Sequence, residues 1–216
     1  MTVDLVTRHS FQVLSMADNP LIAHSLAEAY LYLMATRCLS CEQGPLRTVN
    51  SRRAEGEDDL HVVMTVACGR CGEVSELIFA LPHGTCTDDD GAASAINPTD
   101  EPSQIIDVAQ WITLFRAIVE SADRETDKQE ARRLGIEAAQ CIEEAIKFYD
   151  DQDNDLPPPE AFFHELSRDR FRANPEQFSR RRLIGLRGKL PTISLMQSRT
   201  RQAMREKKRP WWRFGL

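Results

Sequence analysis

Long apolar runs are missing from this chain: none approaches the roughly 18 to 20 residues that a membrane-spanning helix needs. The opening MTVDLVTRHSFQVLSMADNP has neither a basic leader followed by an apolar core nor a small-residue cleavage site. No secretory signal is therefore expected, and the expected compartment is the cytoplasm. Glycine-rich phosphate loops, nucleophile elbows and internal repeats are also absent. No acid, base and nucleophile converge on a recognisable pattern, so an enzyme is not expected.

Apolar and charged residues are plentiful. Hydrophobic residues make up 42% and charged residues 28% of 216 positions, close to globular averages, which predicts a buried core and argues against wholesale disorder. That length suits one generous domain or two small ones. The net charge of -6 conceals a polarity along the chain. Residues 1–165 hold 12 Lys and Arg against 30 Asp and Glu, a balance of -18, whereas residues 166–216 hold 15 against 3, or +12. Such halves attract each other, or the basic one seeks an outside anion.

Periodicity organises the chain. Asn19-Pro20 reads as an N-cap and first helical residue, and Ile22, Leu26, Ala29 and Leu33 follow at helical spacing, predicting a helix over 20–36. Residues 1–18 carry Leu5, Phe11, Val13, Leu14 and Met16 without a single period, and a short helix is expected there. A strand is expected from Pro45 to Arg53, a polar turn at 54–58, and a second strand from Leu60 to Ala67, where Leu60, Val62, Met64 and Val66 alternate onto one face. A third, Glu73 to Leu81, ends at Pro82. The composition of residues 83–102 marks a linker. Beyond it, helices are predicted over 103–122 (Ile105, Val108, Ile112, Phe115, Val119) and 126–149 (Ala131, Leu134, Ala138, Ile142, Ala145, Tyr149), paired as an antiparallel hairpin. A further helix is expected over 160–172 with Phe162, Phe163 and Leu166 as its apolar residues, then a short one after Pro175 carrying Phe178, Leu183 and Ile184. Residues 191–216 read as a flexible basic, aromatic tail.

Four of the six cysteines stand in two close pairs, Cys38-Leu-Ser-Cys41 and Cys68-Gly-Arg-Cys71-Gly72, with 26 residues between them. A Cys-x-x-Cys turn lets two sulfurs converge on one ion, and two such turns complete the tetrahedral thiolate set that suits zinc. The intervening length is enough for a hairpin that folds one pair beside the other. A redox role normally places such a pair at a helix N-terminus, whereas Cys38 follows a predicted helix and Cys68 a predicted strand. Four cysteines would close the metal's shell, which points to a structural rather than a catalytic ion.

Residues 37–82 resemble the zinc-ribbon superfamily: a first Cys-x-x-Cys, an antiparallel hairpin, a second Cys-x-x-Cys-Gly and a further strand. The resemblance implies a small three-stranded ribbon holding one structural zinc on Cys38, Cys41, Cys68 and Cys71. Two details depart from that pattern. No glycine follows Cys41 directly, the nearest being Gly44, and a long helix leads into the first turn.

Other candidates are weaker. His61, or His83 with Cys86, offers metal ligands without partners, and Cys141 falls on a small-residue helical stripe where a packed thiol is expected. Asp151, Asp153 and Asp155 mimic the start of a calcium loop, but Leu156 stands where its glycine belongs and Phe162 where its bidentate glutamate belongs. Arg180, Arg181, Arg182, Lys207, Lys208 and Arg209, with Trp211 and Trp212, make an arm suited to phosphates or to docking on the acidic body or a sister subunit. The expected whole is an α+β protein: an N-terminal helical segment and zinc ribbon (1–82), a linker (83–102), a helical bundle-like domain (103–190) and the tail (191–216). The expected function is a non-enzymatic, zinc-stabilised interaction or adaptor protein whose partner is another protein or itself. The alternative is a nucleic-acid-binding regulator using ribbon and arm together.

Overall fold

The computed structural model describes residues 19–55, 60–82, 95–149 and 154–191. They fall into two compact units, divided between residues 94 and 95. The architecture is α+β.

In the first unit the helix begins later than periodicity implies. Leu21–Ile22 form a short strand, β1, and helix α1 runs Leu26–Ala35. The deciding residue is Ser25, whose hydroxyl accepts from the Glu28 N–H at 3.1 Å, while the Glu28 carboxylate accepts from the His24 N–H at 2.5 Å. A serine three residues ahead of a glutamate caps more strongly than Asn19 does here, and it leaves Pro20 and Ile22 outside the helix. Ala29, Leu31 and Leu33 are buried along α1, and so is Glu28.

Three longer strands follow: β2 (Leu46–Glu55), β3 (Leu60–Cys68) and β4 (Val74–Leu81). The sheet is four-stranded in the order β1-β4-β3-β2, antiparallel except that β1 runs parallel to β4. It is thus mixed rather than the three-stranded antiparallel ribbon expected. The difference arises because Leu21 and Ile22, freed from the helix, pair with Phe79 and Ala80. Val62, Met64 and Val66 are buried, opposite Phe79, Leu77 and Ser75 of β4, but the alternation is not strict: Val63 is buried too and Leu60 is half-buried. Tyr32 of α1 meets Phe79 edge to face, with ring centres 5.8 Å apart, so this is the face the helix covers. Each fully buried side chain of this size contributes about 2 kcal/mol.

In the second unit, α2 (Val108–Arg124) and α3 (Lys128–Ile146) form a helical hairpin joined by residues 125–127. The segment 103–106 is not helical. The Ser103 hydroxyl accepts from the Ile105 and Ile106 N–H groups, and the helix starts only where Asp107 and Gln110 close a capping box. The second Asp107 oxygen accepts from the Phe163 N–H at 3.2 Å, tying a distant loop to this helix end. Ile112, Phe115, Ile142 and Ala145 are buried, as their helical spacing predicts, whereas Val119 is half-buried and its neighbour Ile118 is buried instead, together with Trp111.

Residues 97–101, whose composition reads as linker, are fastened to α3. The Asn97 amide donates to the Glu144 carboxylate (3.2 Å), and the Lys147 ammonium donates to the Thr99 carbonyl (2.6 Å). After α3 come a 3₁₀ turn at Pro159–Ala161, helix α4 (Glu165–Ala173), a second 3₁₀ turn at Pro175–Phe178 and helix α5 (Arg180–Arg187). Pro158 and Pro159 delay α4 by five residues relative to the expected start at 160, which re-sorts its faces. Leu166 and Ile184 are half exposed, and Phe171 instead joins Phe162 and Phe178 in a three-ring cluster.

Candidate metal centre

The two Cys-x-x-Cys turns have the same backbone construction. In the first, which follows α1, the Cys38 carbonyl accepts from the Glu42 N–H at 2.8 Å and the Cys38 N–H donates to the Gln43 carbonyl at 2.5 Å. In the second, between β3 and β4, the Cys68 carbonyl accepts from the Gly72 N–H at 3.0 Å and the Cys68 N–H donates to the Glu73 carbonyl at 2.8 Å. The turns correspond residue for residue: an i+4 bond closes each, and an i+5 bond returns the chain. The residue after the second cysteine is left-handed in both, Glu42 at φ 56° and Gly72 at φ 75°. The glycine missing from the first turn is therefore replaced by a glutamate in the same conformation, which costs about 1 kcal/mol that glycine would not.

A further bond joins the turns: the Gly69 N–H donates to the Pro45 carbonyl at 3.0 Å. A side chain at Gly69 would press on that carbonyl, since a Cβ there lies only 3.3 Å from it.

This construction gathers the four sulfurs. Cys38 Sγ lies 3.6 Å from Cys71 Sγ, Cys41 Sγ lies 3.6 Å from Cys68 Sγ, and all four lie within 4.8 Å of one another. A tetrahedral ion with metal–sulfur bonds of about 2.3 Å needs sulfurs about 3.8 Å apart. The cluster fits an ion of that kind. Cys38 and Cys68 are buried, Cys41 is half buried and Cys71 is exposed. The sulfurs do not ionise alike. The Cys71 and Arg70 N–H groups hold the Cys68 thiol down to about 6. At Cys71 the Glu73 N–H acts to lower the thiol, but desolvation and the three neighbouring sulfurs outweigh it and push it up to about 12. A divalent cation held by Cys38, Cys41, Cys68 and Cys71 would supply the charge that lets all four ionise together.

No family model, curated protein or solved structure matches the chain. The reading of the site thus rests on its geometry.

The other residues singled out by sequence are placed as follows. Arg181 and Arg182 are exposed in the first turn of α5, and Arg180 is partly buried beside them. That turn is anchored by Asp155, whose carboxylate accepts from the Arg181 N–H (2.8 Å) and the Ser179 hydroxyl (2.5 Å). Asp155 is thus a helix anchor, a role its acidic surroundings do not advertise. Cys141 is fully buried in α3, and burial pushes its thiol up. His61 lies on β3 and is not among the clustered ligands. Cys86, His83, Lys207, Lys208, Arg209, Trp211 and Trp212 lie outside the described residues, as do the short helix expected over 1–18 and Asp151 and Asp153. Among the described residues, no helix is long and apolar enough to cross a membrane.

What sequence missed at the centre is the supporting backbone: Glu42, Gln43, Pro45 and Glu73. A usable signal existed. Both cysteine pairs are followed by two residues before the chain leaves the turn, so the equivalence of Glu42 with Gly72 could have been drawn from spacing alone.

Proposed function

We propose that this chain is a non-enzymatic, zinc-stabilised protein-interaction module, in which Cys38, Cys41, Cys68 and Cys71 hold one structural zinc ion. The carrying observation is the four-sulfur cluster in paired turns. All four sites of a tetrahedral ion are filled by protein thiolates, leaving no position for a reacting water. A small sheet covered by one short helix has little core of its own, and an ion bound between the turns supplies stability on the order of 10 kcal/mol in such modules. The interaction reading is supported by apolar side chains turned to solvent in the same unit: Tyr30 and Met34 one turn apart on α1, and Leu39 in the first cysteine turn, 71% exposed.

The test is elemental analysis of the purified, reduced chain together with cobalt substitution. One zinc per chain, and the intense sulfur-to-cobalt absorption of a tetrathiolate site after exchange, are expected. A metal-free chain whose melting is unchanged by Cys38→Ser with Cys71→Ser would refute the zinc assignment. For the interaction role, Tyr30→Asp with Met34→Asp is expected to abolish partner capture from the native host while leaving the zinc in place.

A nucleic-acid-binding role is the second reading. It is favoured by exposed arginines on β2 (Arg47, Arg52, Arg53) and on α5 (Arg181, Arg182). Its signature is binding of labelled DNA or RNA that weakens steeply with salt and is lost on removal of residues 192–216.

A further inference from the structure

The four clustered thiols are not equally open to solvent. Cys38 and Cys68 are buried and Cys41 is half buried, whereas Cys71 lies within a continuous exposed stretch, residues 69–73. The Cys68 sulfur is also engaged, since it accepts from the Arg70 N–H at 3.4 Å. A small reagent arriving from water therefore meets the Cys71 sulfur first. Oxidation of cysteine follows exposure together with thiolate character, and coordination to a divalent cation would hold Cys71 as a thiolate.

The sulfur nearest to hand belongs to the other turn. Both approaches of 3.6 Å, Cys38 to Cys71 and Cys41 to Cys68, run between the turns, and they share no residue. The backbone around them is already pinned, by the Gly69 N–H on the Pro45 carbonyl and by the pairing of Leu46 with Cys68. Closing such a gap to the about 2.05 Å of a disulfide moves the sulfurs by about 1.5 Å, which side-chain torsions supply without shifting the strands.

We propose that Cys71 is a modification site for hydrogen peroxide and that Cys38, in the opposite turn, is its resolving thiol. The Cys71 thiolate attacks one peroxide oxygen, and the O–O bond breaks to leave a sulfenic acid and a hydroxide. The Cys38 thiolate then attacks the sulfenic sulfur, forming the S–S bond and expelling a second hydroxide. Two electrons pass from the sulfur pair to the peroxide, and two solvent protons turn both hydroxides into water. Two of the four ligands are consumed, so the ion is released. The bridge joins the same two turns that the ion would join, and it keeps them together after the ion has left; a bridge inside one turn would not. A second peroxide can oxidise Cys41 with Cys68 in the same way. The proposal rests on the zinc reading, because coordination is what keeps Cys71 ionised.

The test uses the full, unsubstituted chain, so it does not depend on any variant folding. Zinc content is measured first. The chain is then treated with hydrogen peroxide below one equivalent, the remaining thiols are alkylated, and the peptides are mapped by mass spectrometry while a chromogenic indicator follows free zinc. The expected result is a Cys38–Cys71 bridge as the first to form, with zinc released in step with it, Cys141 still reduced, and both thiols and zinc binding restored by dithiothreitol. A chain that carries no zinc before treatment refutes this proposal and the zinc assignment together. A zinc-loaded chain overturns this proposal alone if its first bridge lies within one turn or joins Cys71 to a thiol other than Cys38. The same holds if Cys71 stays reduced, if it passes to a sulfinic acid without bridging, or if zinc is retained once the bridge has formed.

Discussion

The two units of this chain solve the problem of staying folded by different means. The first covers a four-stranded sheet with one ten-residue helix and gathers four sulfurs at the end of its strands. The second packs two long capped helices against each other and adds an aromatic cluster, with no comparable gathering of metal-binding groups among its described residues. A unit with few layers transfers part of its stability to a ligand, whereas one with a continuous apolar seam carries its own. The contrast predicts that stress will separate them.

The largest expected effect comes from removing the proposed metal. A strong chelator, or Cys38→Ser with Cys71→Ser, is expected to abolish the cooperative melting of the sheet unit while leaving the helical circular-dichroism transition in place. Under the same treatment Cys141, buried in α3, is expected to stay unreactive to alkylating reagents while the four clustered thiols become modified, as mass spectrometry of the peptides would show. Coincident loss of both units would dissolve the distinction.

The converse substitution lies in the seam. Ile142→Ala, at a fully buried position on α3, is expected to destabilise the helical unit by about 3 kcal/mol in denaturant titration without changing zinc content. A smaller effect of opposite sign is expected at the first cysteine turn. Glu42→Gly removes the strain of a left-handed glutamate but adds freedom to the unfolded chain, for a net gain of about 0.5 kcal/mol in the melting of the sheet unit. The mildest test is pH. The Ser179 hydroxyl and the Arg181 N–H hold the Asp155 carboxyl below the usual carboxylate range. Its contribution to anchoring α5 is therefore present above that range and is lost as pH falls through the lowered value. Exchange of α5 amides is expected to rise in acid before that of α2 and α3, and Asp155→Asn is expected to flatten the difference.

Sequence spacing alone located both the cysteine cluster and the helical hairpin, because each rests on a strict period: two residues between paired cysteines, and steps of three and four from Ile112 to Phe115 to Val119. What it misplaced lay at boundaries decided by side-chain hydrogen bonds. Ser25 with Glu28 overrode Asn19-Pro20 as the start of α1, and the residues so released became the parallel strand that turned a ribbon into a mixed sheet. Asp107 likewise outcompeted the apolar pattern that begins at Ile105. The fastening of residues 97–101 was invisible because asparagine and threonine read as loop wherever they stand, and their partners, Glu144 and Lys147, lie more than forty positions away.

The hairpin of β2 and β3 runs from one cysteine turn to the other, and the Gly69–Pro45 bond already holds their backbones together. Strand pairing would therefore share with a bound cation the work of drawing together the ends of the 26-residue loop, an ordering that for a free chain of this length costs several kcal/mol. Affinity for the proposed metal would then be in part a property of strand pairing, and weakening the hairpin far from any sulfur is expected to lower it.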